Sequence, residues 1–153
     1  MIDEIDAKIL NIIHENARIQ KAEIARQVGM APSAVLERIR KLEERGIIEG
    51  YEARLNAEAL GLGLVAFVFV KTDDRVGGVS TARQIAKIPE VQEVHDVAGE
   101  DCYLLKVRVK DPRHLMQFMR EKLGKMKFVR STRTTIVLET IKESNQFLIP
   151  ENT

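Results

Sequence analysis

Apolar residues recur at helical intervals along the first third of the chain and mostly at strand intervals beyond it. From Asp3 onward, Ile5, Ile9, Ile12 and Ile13 share one face of a helix. Asp3 stands where an N-cap belongs, and Glu4 and Asp6 fall where the dipole of a first turn favours acids. After "ENAR", the segment "KAEIARQVG" predicts a second helix of barely two turns, burying Ile24, Ala25 and Val28 and stopping at Gly29. Pro32 suits the first position of a third helix, in which Val35, Ile39 and Leu42 recur at i, i+4 and i+7 before Gly46 closes it. The connection "GMAP" between the second and third helices has the length of a helix-turn-helix, where a short turn holds one helix at a steep angle to the other. "IIEGYEARLN" then predicts a small β-wing: Ile47 and Ile48, a turn at Gly50, and a run from Tyr51 to Leu55.

From Leu64 the period changes. "LVAFVFVK" is β-branched and aromatic, as a strand prefers, and a helix follows over Thr81–Lys87 with Ala82, Ile85 and Ala86 apolar and Pro89 ending it. "EVQEVHDV" and "CYLLKVRVK" read as two strands separated by the turn "AGED". In the second of them Tyr103, Leu105, Val107 and Val109 take one face, and Lys106, Arg108 and Lys110 the other. A helix from Pro112 to Leu123 turns Leu115, Phe118, Met119 and Leu123 inward, and "TRTTIVLETI" supplies a last strand. The order β-α-β-β-α-β is the ferredoxin-like split βαβ arrangement, with both helices on one face of an antiparallel sheet. The predicted class is therefore α+β: a winged helix-turn-helix over residues 1–54, a linker over 55–63, a ferredoxin-like unit over 64–141 and a tail over 142–153. Either Ala66, Val68 and Val70 or Phe67 and Phe69 must line the sheet face that carries no helix, which predicts a homodimer covering it.

Composition removes several classes. With 153 residues and 44% apolar content the chain can build packed cores, and its longest apolar run, "GLGLVAFVFV", is about half the roughly 20 residues that a membrane-spanning helix needs. The N-terminus opens on acids rather than on a secretory signal, so a cytoplasmic protein with no membrane partner is expected. A lone Cys102 offers neither a disulfide scaffold nor a thiolate zinc site, and no metal or cofactor is expected. The net charge of +1 hides an uneven distribution. Residues 1–54 hold nine Lys and Arg against ten Asp and Glu, 55–104 hold four against eight, and 105–142 hold eleven against three. The helix-turn-helix is thus not basic by itself, and one copy should hold DNA weakly, because nonspecific affinity comes from neutralised phosphates. Two copies placing paired helices in successive major grooves would gain effective concentration and call for a two-fold-related operator.

Four stretches taken together, "IDEIDAKIL", "RIQKAEIARQVGM", "VLERIRKLEERGIIEGYEARLN" and "VAGEDCYLLKV", in that order and spacing, resemble the leucine-responsive and asparagine regulator family, Lrp/AsnC, over nearly the whole chain. The resemblance implies a transcriptional regulator that is not an enzyme. Its second unit would bind a small effector such as an amino acid and assemble the protein into dimers, often gathered into octamers. Two positions depart from the family pattern. Ala31 stands where a polar N-cap is common, and in Gly99, Glu100, Asp101, Cys102 the acid comes one residue earlier than in the usual Gly-x-x-Asp.

Within this frame the third helix would meet double-stranded DNA. Ser33, Ala34 and Glu37 are the candidates for base edges, Arg38 and Lys41 for phosphates or guanines, Arg54 on the wing for a phosphate, and Lys21 and Arg26 for supporting contacts. The competing reading is a solvated helix laced by pairs such as Arg40 with Glu43 or Glu44. For the effector, the loop Val97, Ala98, Gly99, Glu100, Asp101, Cys102 offers backbone N–H groups and carboxylates, with Thr132 and Thr134 as further candidates. The basic residues Lys106, Arg108, Lys110, Lys125, Lys127 and Arg130 could hold nucleic acid, or could pair with Asp73, Asp74, Glu90 and Glu93 of a neighbouring subunit. Siroheme decarboxylases share the overall architecture and make an enzyme the alternative class. Their chemistry needs acid–base groups around a tetrapyrrole, whereas His14, His95 and His114 are scattered along this chain. Met116, Met119 and Met126 read as core filler rather than ligands.

Overall fold

In the computed structural model, which describes residues 2–75, 78–99 and 103–150, the three N-terminal helices are α1 (Glu4–Glu15), α2 (Lys21–Val28) and α3 (Pro32–Glu44). Asp3 caps α1 reciprocally: its carboxylate accepts from the Asp6 N–H at 2.8 Å, and its own N–H donates to the Asp6 carboxylate at 3.3 Å. Gly29 ends α2 with φ 71°, and the Met30 N–H reaches back to the Ala25 carbonyl. Gly46 ends α3 with φ 68°; its N–H donates to Glu43 O and the Ile47 N–H to Leu42 O, both at 2.9 Å. Those two bonds are a Schellman closure, which needs a left-handed residue at its centre. Ile9, Ile24, Ala25, Val35 and Ile39 form the buried centre of the three helices.

The wing segment lacks the strand pairing expected of it. Among the described residues no strand forms between Ile47 and Leu55. The N–H groups of Ile47 and Ile48 both turn back to Leu42 O, at 2.9 and 3.2 Å, so the closure of α3 consumes donors that a ladder would need. Tyr51 to Leu55 is exposed and has no facing strand among the described residues.

By its contacts the chain forms two compact units, and the tail belongs to the first: residues up to Arg54 group with those from Lys142, while Leu55–Ile141 form the second. The tail residue Ile149 is buried with Ala7 and Leu10 of α1 and Leu42 of α3.

The second unit comprises β1 (Leu64–Thr72), α4 (Ser80–Ile85), β2 (Val91–Asp96), β3 (Tyr103–Val109), α5 (Pro112–Gln117) and β4 (Val129–Ile136). Its sheet has the order β2-β3-β1-β4, antiparallel throughout, as a split βαβ unit requires. Ala66, Val68 and Val70 are fully buried with Leu105 and Val107 beneath Ile85, Leu115, Phe118 and Leu123, which assigns Phe67 and Phe69 to the face without helices. The helix predicted to Leu123 is α-helical only to Gln117; a π-helical turn follows over Phe118–Lys122 and a 3₁₀ turn over Leu123–Lys125. β4 begins three residues before the predicted Thr132 and stops at Ile136 rather than Ile141. Val129 finds a partner in Thr72, and past Ile136 the Val137 N–H still bonds to Val65 O before β1 reaches its own start at Leu64. Met119 and Met126 pack against the core, but Met116 is 44% exposed and fills nothing.

Candidate functional site

The outer side of α3 follows from its register. Val35, Ile39 and Leu42 are buried, so Ser33, Leu36, Glu37 and Arg40 emerge at i, i+3, i+4 and i+7. The helix starts without a side-chain cap, since Ala31 offers no acceptor. The Arg40 guanidinium grips the Glu37 carboxylate at 2.7 and 3.0 Å and also pairs with Glu44, and Lys41 stands 3.7 Å from Glu37. Hydrogen bonding to Arg40 holds the Glu37 carboxyl below its ordinary range and raises Arg40 in turn. All these groups are half exposed or more, where solvent screens such pairs and they yield readily to a competing anion.

The predicted DNA residues separate into two sets. Ser33, Ala34, Glu37 and Lys41 lie on α3, with Ser33, Glu37 and Lys41 exposed and Ala34 half-buried. Lys21 and Arg26 lie on α2, Arg26 hydrogen-bonded to the Glu23 carboxylate at 2.9 Å, and the Glu23 carboxyl is drawn down to about 2. Arg38 instead turns toward α1, meeting Asp3 at 2.6 Å and Asp6 at 2.7 Å. Arg54 donates to the Glu143 carbonyl of the tail at 3.0 Å. The tail is fastened further: Asn145 O lies 3.1 Å from His14 Nε2, Gln146 donates to His14 O at 3.2 Å, and Phe147 meets the His14 ring edge-on at 4.9 Å. Leu36 was not anticipated, although the signal was present: three apolar positions already fill the buried stripe of α3, so a fourth had to face outward.

In the second unit, of the predicted effector loop Glu100, Asp101 and Cys102 lie outside the described residues. Val97 is half-buried, and Ala98 and Gly99 are exposed, Gly99 at φ 144°, a conformation that favours glycine. Thr132 and Thr134 oppose Val70 and Val68 in register, on the helix-covered side of β4, with the Thr134 hydroxyl 3.9 Å from Met119 Sδ. They do not join the described part of the loop. Asp96, Tyr103, Val70 and Thr132 are successive partners across the sheet, so about 14 Å, three strand spacings, separates Thr132 from the end of β2.

The acids expected to reach a neighbouring subunit find partners within the chain. Asp73 pairs with Arg130, Glu93 lies 3.4 Å from Lys106, and Glu90 accepts from Lys122 at 2.8 Å with His114 at 3.4 Å. Burial is the largest single influence on the Glu90 carboxyl and raises it, but hydrogen bonds from Lys122, the backbone and His114, with the Lys122 charge, together outweigh it and the net shift is downward. The Asp74 carboxylate accepts from the Thr81 hydroxyl at 2.8 Å and its N–H at 3.2 Å. No helix among the described residues is long and apolar enough to cross a membrane.

A three-helix unit whose last helix keeps an open, charge-lined stripe, carried on one chain with a four-stranded α+β unit, defines a two-unit regulator that binds DNA. Family models agree: one described as winged helix-turn-helix DNA-binding matches residues 2–49, and one described as Lrp/AsnC ligand binding domain matches residues 65–147. The leucine-responsive regulatory protein of Escherichia coli (strain K12) is 39% identical over 152 residues, covering 97% of this chain and 92% of that protein. A Neisseria meningitidis transcriptional regulator crystallised with L-methionine superposes with a TM-score of 0.89 at 31% identity, covering 99% of this chain and 98% of that one. The feast or famine regulatory protein of Mycobacterium tuberculosis, complexed with L-methionine, gives 0.89 at 35% identity, covering 97% and 100%. The chain belongs to the Lrp/AsnC family, and it is a sequence-specific DNA-binding transcriptional regulator of that type.

Proposed function

We propose that α3 enters the major groove of double-stranded DNA by its N-terminal half, with Ser33 and Glu37 at base edges and Lys41 at the backbone. The observation that carries this is the stripe itself, an exposed helix side whose charges are tied only to one another. Lys21 and Arg26 contribute phosphate contacts from α2, whereas Arg38 acts by positioning α3 on α1 and Arg54 must exchange the Glu143 carbonyl for any phosphate it meets. Selecting sites from random duplexes with the full-length protein tests this: a recurring two-fold-related motif, lost on Ser33→Ala and Arg40→Ala, is expected. Recovery of random sequence would sink it.

The effector is an amino acid or a near relative of one, the class supported by two related structures that hold L-methionine. Val97, Ala98 and Gly99, continuing into Glu100, Asp101 and Cys102, supply one side of the site. Thr132 and Thr134 stand on the opposite strand edge, so they would join it only across an interface with another copy. Calorimetric titration with L-methionine, L-leucine and the remaining amino acids should give heat for at least one, and its absence for all would remove the effector role. We further propose that the protein is cytoplasmic, that copies pair over the sheet face bearing Phe67 and Phe69, dimers gathering further in the manner of an octamer, and that the chain catalyses no reaction. A visible absorption band on adding siroheme would speak for the enzyme reading instead.

A further inference from the structure

Leu36 has no evident place in the packing of the first unit. It is 47% exposed on α3, although Val35, Ile39 and Leu42 beside it are at most 2% exposed. An isolated exposed leucine is ordinary on a protein surface. This one stands on the same outward stripe as Ser33 and Arg40, three and four residues away, with Glu37 next to it in sequence. Its exposed helical neighbours are Pro32, Ser33 and Arg40, and Arg40 is bound to Glu37 and Glu44, so Leu36 stands among mostly polar groups on α3. What it offers is a single apolar knob within a polar strip that is narrow enough for a groove.

We infer that Leu36 reads thymine. The inference rests on the groove-binding assignment of α3 proposed above. Along the major groove, base pairs present acceptors, amino donors and one apolar group, the C5-methyl of thymine. Ser33 and Glu37 can answer donors and acceptors, and Arg40 can answer guanine, but no other side chain of the stripe is apolar and large. Leu36 thus distinguishes thymine from cytosine at one or two positions of each half-site, through burial of the methyl rather than through a hydrogen bond. Removing one methyl from such a contact should cost about fourfold in affinity.

The test uses the full-length protein and a duplex that it selects from a random library, with each thymine replaced singly by deoxyuridine, which removes the methyl and nothing else. The wild-type protein should lose about fourfold at one or two thymines per half-site. Leu36→Ala should lose a similar amount on the unmodified duplex and nothing further at those positions, while Leu36→Met, which keeps an apolar chain, should still respond to uracil. Unchanged circular dichroism is expected for both variants because the side chain is exposed. Equal responses of the wild type and Leu36→Ala to every uracil would overturn the inference, as would indifference of the wild type to all of them. Should Ser33→Ala and Arg40→Ala alter the selected motif while both uracil series stay silent, the reading of Leu36 alone fails; if the protein selects no duplex at all, the assignment of α3 fails with it.

Discussion

Arg38 holds two carboxylates at once, and the second belongs to Asp6, which is 8% exposed. Removing the guanidinium would leave that carboxylate buried with only the Asp3 N–H as a donor. Arg38→Ala should therefore destabilise the first unit by roughly 1–3 kcal/mol, measured by chemical denaturation of the full chain. Because Arg38 is committed to α1, the slope of DNA affinity against salt should stay within error of wild type in its variant, whereas Lys41→Gln should flatten it by about 0.9 for each copy that contacts the duplex. Asp3 adds a pH dependence. The Asp6 N–H and then Arg38 hold its folded carboxyl below its ordinary value, so its contribution is fully present above that ordinary value and is lost as pH falls through the lower, folded one. A denaturation series descending from pH 5 should show this acid loss in the wild type and a smaller one in Asp3→Asn. In sequence, Arg38 was indistinguishable from Lys41, since both are cations on one helix; what separates them is the position of α1, which periodicity does not specify.

At the level of elements, α3 begins with an empty cap. Ala31→Ser should stabilise the first unit by about 1 kcal/mol if the hydroxyl accepts from the first turn, read as a rise in its unfolding midpoint. The helix that ends in a π-helical and a 3₁₀ turn depends on Gly124, where an added Cβ would lie 3.0 Å from the Met119 carbonyl oxygen. Gly124→Ala should lower stability measurably, because backbone and not a flexible side chain stands in the way. Caps and stripes made the helices readable: Asp3, Gly29, Pro32 and Gly46 each mark a boundary that the structure keeps. Strand limits were less readable, since where β4 starts and stops is decided by how far β1 extends beside it. The wing forms no strand pairing because Ile47 and Ile48 have strand-like side chains while their amides serve the helix before them. The site divides the same way. Ser33 and Glu37 follow from helical spacing, but only the sheet register shows that Thr132 stands across from the effector loop.

For the whole molecule, pairing of copies turns on the sheet face without helices. Phe67 and Phe69 lie on it half-buried, and the Arg133 guanidinium covers the Phe69 ring at 4.0 Å. Sedimentation of the wild type at micromolar concentration should give a dimer or a multiple of it, and Phe67→Ser with Phe69→Ser should shift it toward the monomer while leaving the fold intact. A second test concerns the tail. Ile149 is 8% exposed among Ala7, Leu10 and Leu42, and Ile149→Ala should cost about 2–3 kcal/mol in the first unit with no effect on the sheet. That packing has a topological consequence. The chain leaves its DNA-binding unit at Arg54 and re-enters it at Lys142, so the effector unit is an insertion rather than an appendage. An excised DNA-binding unit that stopped at Arg54 would expose the surface that Ile149 covers; a short spliced linker from Arg54 to Lys142 should yield a folded miniature. An affinity tag at the C-terminus would, by the same connectivity, sit on the DNA-binding unit and not on the effector unit.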